Sequence, residues 1–136
     1  KKIERQNIRN ILLMREHGEF LDDYLPHGSM DCLHINFPDP WSKKKRLKHR
    51  ILNANFLTKM HPFFSSKGEL RFKTDHLEYF ETVTKIIKEI GKYTIDEHTT
   101  DLYCSDFNER NIMTEFEMLF KSKGNPPIGY LRAKVR

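Results

Sequence analysis

The apolar residues of this chain change period several times, from short unbroken runs to helical spacing and back, and this alternation most narrows the folds open to it. Asn10 to Met14 (NILLM) and Ser29 to Phe37 (SMDCLHINF) read as buried strands. Between them Phe20, Leu21, Tyr24 and Leu25 have helical spacing, and Pro26, His27, Gly28 and Ser29 form a turn. Leu47 to Met60 again has apolar residues at helical intervals and stops before Pro62. A turn at Ser65 to Gly68 leads into a strand over Glu69 to Lys73. Tyr79, Phe80, Val83, Ile86, Ile87 and Ile90 mark an amphipathic helix, with Gly91 as its stop. Tyr93 to Asp96 reads as a strand, Thr99 to Asn111 as a polar loop, Glu115 to Lys123 as a helix ended by Gly124, and Ile128 to Val135 as a last strand. Strands separated by amphipathic helices imply an α/β sheet covered on both faces. Ligands of such sheets bind outside the carboxyl ends of the strands, where three loops would converge on one rim: Arg15-Glu16, Asp39 and Thr74-Asp75.

The 136 residues suffice for a single domain, since chains near this length bury about 70% of their unfolded surface. Ten Phe and five Tyr argue for a packed core despite 32% charged residues. The apolar runs are too short to span a membrane, and the opening KKIERQNIRN has no apolar segment of a secretory signal. Cys32 and Cys104 lie far apart, which fits a reducing, cytoplasmic setting. The seven histidines are scattered without metal-ligand spacing, so no metal site is expected.

Charge is concentrated in one place. NFPDPWSKKKRLKHR, from Asn36 to Arg50, joins a Pro-Asp-Pro-Trp knot to a segment in which Lys43, Lys44, Lys45, Arg46, Lys48 and Arg50 have no carboxylate among them. Removing those six from the formal net charge of +5 leaves −1, so the basicity is a local patch, the usual footprint of a phosphate-bearing partner. Prolines on both sides of Asp39 fix two φ angles and present its carboxylate at little entropic cost.

Three segments, in this order and spacing, carry a resemblance: NFPDPWSKKKRLKHR, then GELRFKTD from Gly68 to Asp75, then NIMTEFEMLFKSKG from Asn111 to Gly124. Together they resemble the tRNA (guanine-N7)-methyltransferase family, which transfers a methyl group from S-adenosylmethionine to a guanine in the variable loop of tRNA. The resemblance implies a Rossmann-like class I S-adenosylmethionine-dependent methyltransferase fold. The glycine-rich turn with which that fold cradles its cofactor has no counterpart among the isolated glycines here. By resemblance, residues 1–136 are the C-terminal portion of such a domain, beginning in the helix before its third strand.

The resemblance also implies roles. Asp39 matches the catalytic aspartate and a cofactor-orienting group, and Glu16 stands where the family usually has an Asp facing the adenine amino group. Lys43, Asp75, Thr114, Glu115, Phe116 and Glu117 match substrate-binding positions, and Lys45, Arg46, Leu47, Lys48, His49 and Arg50 match the segment that contacts RNA. Local structure offers competing uses for several of them. Asp75 with Glu78, and Thr114 with Glu117, have capping-box spacing, Met113 could staple onto Met118, Phe116 could be core, and Leu47 could anchor the basic segment. Trp41 could stack on a base or lie over the rim as an apolar lid.

The resemblance makes the expected partner tRNA, with no membrane and no metal, and the expected assembly a monomer or homodimer. A non-catalytic basic RNA-binding module is the alternative, indifferent to loss of Asp39. A third reading is a nuclease with Pro38-Asp39 and Glu69 in a metal site, in which Arg71 stands where a lysine should be; a magnesium requirement would revive it and its absence would end it. An amino-methyltransferase is disfavoured by the Asp between the two prolines and by the basic run.

Overall fold

In the computed structural model, which describes residues 7–124 and 126–136, the strands are β1 (Met30–Asn36), β2 (Phe64–Thr74), β3 (Tyr93–Thr99) and β4 (Gly129–Val135). They form one sheet in the order β1-β2-β4-β3. β1 and β2 are parallel, and β4 runs antiparallel to both β2 and β3. The helices are α1 (Ala54–Met60), in the crossover between β1 and β2, α2 (Leu77–Ile90) between β2 and β3, and α3 (Glu115–Lys121) before β4.

Strand register explains where the core lies. Leu33 sits opposite Leu70 and Ile35 opposite Phe72, while Leu70 pairs with Ala133 and Phe72 with Leu131, so one sheet face is continuously apolar. Phe56, Leu57 and Met60 of α1 and Tyr79, Phe80, Val83 and Ile87 of α2 close over that face. Each such fully buried side chain is worth about 1.5–3 kcal/mol. Asn53 caps α1 by accepting from the Phe56 N–H at 2.9 Å, and Gly91, at φ 64°, ends α2 in the left-handed conformation expected of it.

The other face departs from the expectation of a sheet covered on both sides. Its register pairs are polar: Cys32 with Glu69, His34 with Arg71, Arg71 with Arg132, and Arg132 with Glu97. Ion pairs cross it at 2.5 Å (Arg71–Glu69) and 2.8 Å (Arg132 to Asp96 and to Glu97). The chain covers this face at its Lys73 end, where Leu102, Ile128 and Tyr130 form a second, smaller apolar cluster.

Several boundaries also move. Asn10 to Met14 is not a strand: Leu12 is 93% exposed, and β1 ends the sheet with no strand beside it among the described residues. A strand satisfies its backbone by pairing, and residues 10–14 do not pair with the open edge of β1. β1 is accordingly a half-buried edge strand rather than a buried one. Ser65 to Gly68 continues β2 instead of turning. The helix expected over Leu47 to Met60 splits into a 3-10 turn at Lys44–His49 and α1 at Ala54–Met60, because Asn53 caps the latter and like charges crowd the former. The loop after Thr99 contains a 3-10 turn (Asp106–Arg110) and the fully buried Leu102. The helix expected to open the chain lies outside the described residues. No helix among the described residues is long and apolar enough to cross a membrane.

Candidate functional site

The site is built on a strained loop. Beyond the end of β1, the Phe37 N–H donates to the Lys73 carbonyl at 2.8 Å, extending the pairing with β2 by one residue. Phe37 then takes φ 50°, and Trp41, after the Pro-Asp-Pro knot, takes φ 43°. Left-handed backbone costs a non-glycine residue about 1–2 kcal/mol, and a residue before proline normally favours extended backbone. Such strain persists only where neighbours over-determine it.

Here they do. The Phe37 ring packs on Phe116 with centroids 4.7 Å apart. The Pro40 carbonyl accepts from Arg50 Nε at 2.7 Å. His76 Nδ1 accepts the Tyr79 N–H at 3.2 Å, which leaves the proton of the neutral ring on Nε2, and Nε2 donates to Ser42 Oγ at 3.1 Å. Between these anchors Asp39 is exposed, and its carboxylate has no hydrogen-bond or ionic partner among the described residues.

Asp75, just past the end of β2, is likewise exposed and unengaged among the described residues. The expected capping box of Asp75 with Glu78 does not form. His76 is the N-cap of α2, and Glu78 is taken by Arg50, whose hydrogen bonds hold its carboxyl below the usual glutamate range. No local structural duty therefore accounts for Asp75.

The third loop is latched to the end of β2. Thr114 and Glu117 form the expected capping box: Thr114 Oγ1 accepts the Glu117 N–H at 3.1 Å, and Glu117 Oε2 accepts the Thr114 N–H at 2.7 Å. Glu117 is completely buried. Its other contacts are the Asn111 amide at 3.0 Å and the Lys73 ammonium at 3.2 Å. Lys73 also donates to Asn111 Oδ1 and to the Ile112 carbonyl. Burial pushes the Glu117 carboxyl up, but the Thr114 N–H, the Asn111 amide and Lys73 outweigh it and hold the group below its ordinary value. Glu117, matched to a substrate-binding position, thus faces inward, while Thr114 is half-buried and Glu115 exposed. Phe116 is not core: it is 42% exposed on the rim, between Phe37 and Phe120.

Lys43 to His49 are all exposed, with the 3-10 turn presenting Lys45, Arg46, Lys48 and His49 to solvent. Leu47 is 38% exposed and does not anchor the turn. Trp41 lies under this turn, its ring 5.5 Å from His49 and 5.6 Å from the Arg46 guanidinium. Arg50 breaks the pattern expected of the RNA-contacting segment. It is 5% exposed and grips Glu78 bidentately at 2.5 and 3.2 Å.

Glu16 is exposed, and its carboxylate accepts from the His17 N–H at 2.8 Å and from the Tyr24 hydroxyl at 3.3 Å. A cleft of about 410 Å³ opens beside it, between His17–Phe20 and the turn that carries Trp41, Lys48 and His49. Asp39 lies outside its lining. Lys73 and Asn111, which hold the third loop, are not legible as site residues, because Lys73 continues the charged alternation of Glu69 and Arg71 and nothing local marks it as buried.

Comparison with known proteins places this geometry in context. Residues 1–129 match a family described as "Putative methyltransferase". A bifunctional glycosyltransferase/methyltransferase from Fusobacterium nucleatum is 37% identical over 98% of the chain and 21% of its own length. A tRNA (guanine-N(7)-)-methyltransferase from Mycoplasma pneumoniae is 36% identical over 90% of the chain and 60% of its own length. The chain thus spans only part of each of these relatives. A SAM-dependent methyltransferase from Archaeoglobus fulgidus superposes with a TM-score of 0.50 at 12% identity, covering 98% of this chain and 72% of that one.

Proposed function

This chain belongs to the methyltransferase family that its residues 1–129 match, and on that premise we propose that it carries out methyl transfer from S-adenosylmethionine to N7 of a guanine in tRNA. The observation that carries the proposal is Asp39: an exposed carboxylate without a partner among the described residues, fixed on a strained loop between Phe37 and Trp41 at the carboxyl end of the sheet. The fold supports it, since the sheet has the Rossmann-like arrangement of the superposed methyltransferase. The relative from Mycoplasma pneumoniae, named for this reaction, supports the choice of substrate.

Guanine N7 bears an in-plane lone pair and no proton, so the transfer requires alignment more than a general base. Asp39 accepts hydrogen bonds from the guanine edge and offsets the positive charge that develops on the methylated ring. Asp75 is the second free acceptor on the rim, and Phe116 offers an aromatic face to the base. Lys43, Lys45, Arg46, Lys48 and His49 hold the tRNA backbone from the exposed turn. Glu117 and Thr114 cap the first turn of α3, which carries Glu115 and Phe116.

The cofactor supplies the methyl group on a sulfonium centre. The exposed carboxylates of Glu16 and Asp39 have the chemistry to accept from an adenine amino group and from hydroxyls, and no glycine-rich turn accompanies them. The protein acts as a cytoplasmic enzyme, as a monomer or a homodimer. The test is methyl transfer from labelled S-adenosylmethionine to unmodified tRNA, by the chain together with its native flanking sequence, followed by mapping of the label. Label at guanine N7 is expected. Tight tRNA binding without label, in wild type and Asp39→Asn alike, would replace the enzyme with a non-catalytic RNA-binding module.

A further inference from the structure

We propose that Arg50, the last cation of the basic segment, is a positioning residue for the Asp39 loop and makes no contact with RNA; its effect on catalysis, though not its place in the fold, rests on the methyltransferase reading. Lys43 to His49 are exposed, whereas the Arg50 side chain is 5% exposed and engaged by Pro40, Glu78 and Tyr79. Its Nε donates to the Pro40 carbonyl, in the peptide that joins the Asp39 motif to Trp41. Its two terminal nitrogens grip Glu78, in the first turn of α2. The guanidinium carbon lies over the Tyr79 ring, 4.5 Å from its centroid, and the Tyr79 hydroxyl accepts the Leu52 N–H at 3.0 Å, two residues beyond Arg50 itself. One side chain therefore ties the loop carrying Asp39 to α2, the helix that follows Asp75.

The geometry needs a guanidinium. A planar fork can bond a carbonyl with Nε, chelate a carboxylate with its two remaining nitrogens and stack on an aromatic ring at once, whereas an ammonium is a point charge that reaches one of these. The left-handed φ of 43° at Trp41 is the strain this clamp restrains, with Ser42–His76 on the far side of the same residue. An RNA phosphate would have to displace Glu78 from a bidentate pair beneath an exposed turn that already offers Lys43, Lys44, Lys45, Arg46 and Lys48.

The test compares Arg50→Lys and Glu78→Gln with a Lys45/Lys48 double alanine variant, in the protein with its native flanking sequence. Glu78 is 61% exposed, so its substitution leaves the core packed should Arg50→Lys fold poorly. A loop displaced by about 1 Å costs up to about 100-fold in rate, so kcat is expected to fall about 10- to 100-fold in both clamp variants with tRNA affinity within about twofold of wild type. The slope of log affinity on log salt should stay unchanged in both, and fall by about 1.4 in the double alanine variant. Acrylamide should quench Trp41 fluorescence more readily in the clamp variants, a readout that does not depend on activity. Full activity in Arg50→Lys, with Glu78→Gln also unaffected, would overturn the proposal. So would a salt slope reduced by about 0.7 in Arg50→Met, which would make Arg50 one more phosphate contact. If wild type transfers no methyl group the methyltransferase reading fails, while quenching and salt slope still decide the position of Arg50.

Discussion

The latch between Lys73 and Glu117 gives the sharpest energetic prediction. Glu117 is completely buried and the Lys73 side chain is 10% exposed, so each charge depends on the other and on Asn111, Ile112 and Thr114 for its solvation. Lys73→Met leaves the carboxylate in the interior with two neutral donors, and breaking a buried pair from one side costs about 3–5 kcal/mol. Glu117→Gln is milder, because Lys73 retains Asn111 and Ile112, and about 1–3 kcal/mol is expected. The double variant leaves no unpaired charge and should recover part of the loss, giving a coupling of about 1–3 kcal/mol. Urea unfolding of the four proteins measures all three quantities; in thermal unfolding Lys73→Met should lower Tm by about 10 °C. Acid adds a second reading of the same pair. The folded Glu117 carboxyl lies below its ordinary value of 4.5, so below that pH the unfolded chain binds the proton first. Its stabilisation is therefore complete above the ordinary value and is lost as pH falls through the folded one, a dependence Glu117→Gln should flatten. Losses under about 1 kcal/mol in both single variants, adding without coupling, would refute the latch.

Two further outcomes are expected. The affinity for tRNA should fall with salt along a log–log slope of about −3.5, the share of the five exposed cations from Lys43 to Lys48, and a flat response would remove the phosphate clamp. Tyr130, buried and donating its hydroxyl to Glu97 at 2.9 Å, has its phenol pushed up to about 12 by burial first and Glu97 second. In an absorbance titration Tyr130 should stay protonated until the pH nears 12, as should Tyr93, whose phenol burial also pushes well up; the Tyr130 contribution to stability holds below the unfolded tyrosine value and is lost as pH rises through the folded one. Titration of every tyrosine near 10 would contradict this placement.

What the sequence disclosed, and what it hid, divides along physical lines. Periodicity is a local signal, and it located α2 and its glycine stop, β1, β4 and the Thr114–Glu117 capping box within a residue or two. It also brought Asp39 and Asp75 to one rim, because strand ends follow from strand positions. Partnership is not local. Ile11 to Met14 has the composition of a strand, but whether it forms one depends on a neighbour, and β1 has none beside it. The second sheet face looked coverable until register set Arg71 beside Arg132 and Arg132 beside Glu97. Arg50 is the clearest case: by spacing it belongs with the cations before it, and only the arrival of Glu78 and Tyr79 from 28 and 29 residues further on turns it inward. Asp75 shows the converse, since His76 takes the capping duty that seemed to explain it and leaves its carboxylate unengaged among the described residues.

The central claim is that an exposed Asp39, held on a strained loop, directs methyl transfer to guanine N7. Its most direct test is a single-turnover assay with labelled S-adenosylmethionine and unmodified tRNA, comparing wild type with Asp39→Asn in the protein with its native flanking sequence. Label confined to one guanine N7 is expected in wild type, and a rate lower by about 100-fold or more in the variant with tRNA affinity unchanged. Equal rates in the two proteins, or label on an exocyclic amine, would contradict it.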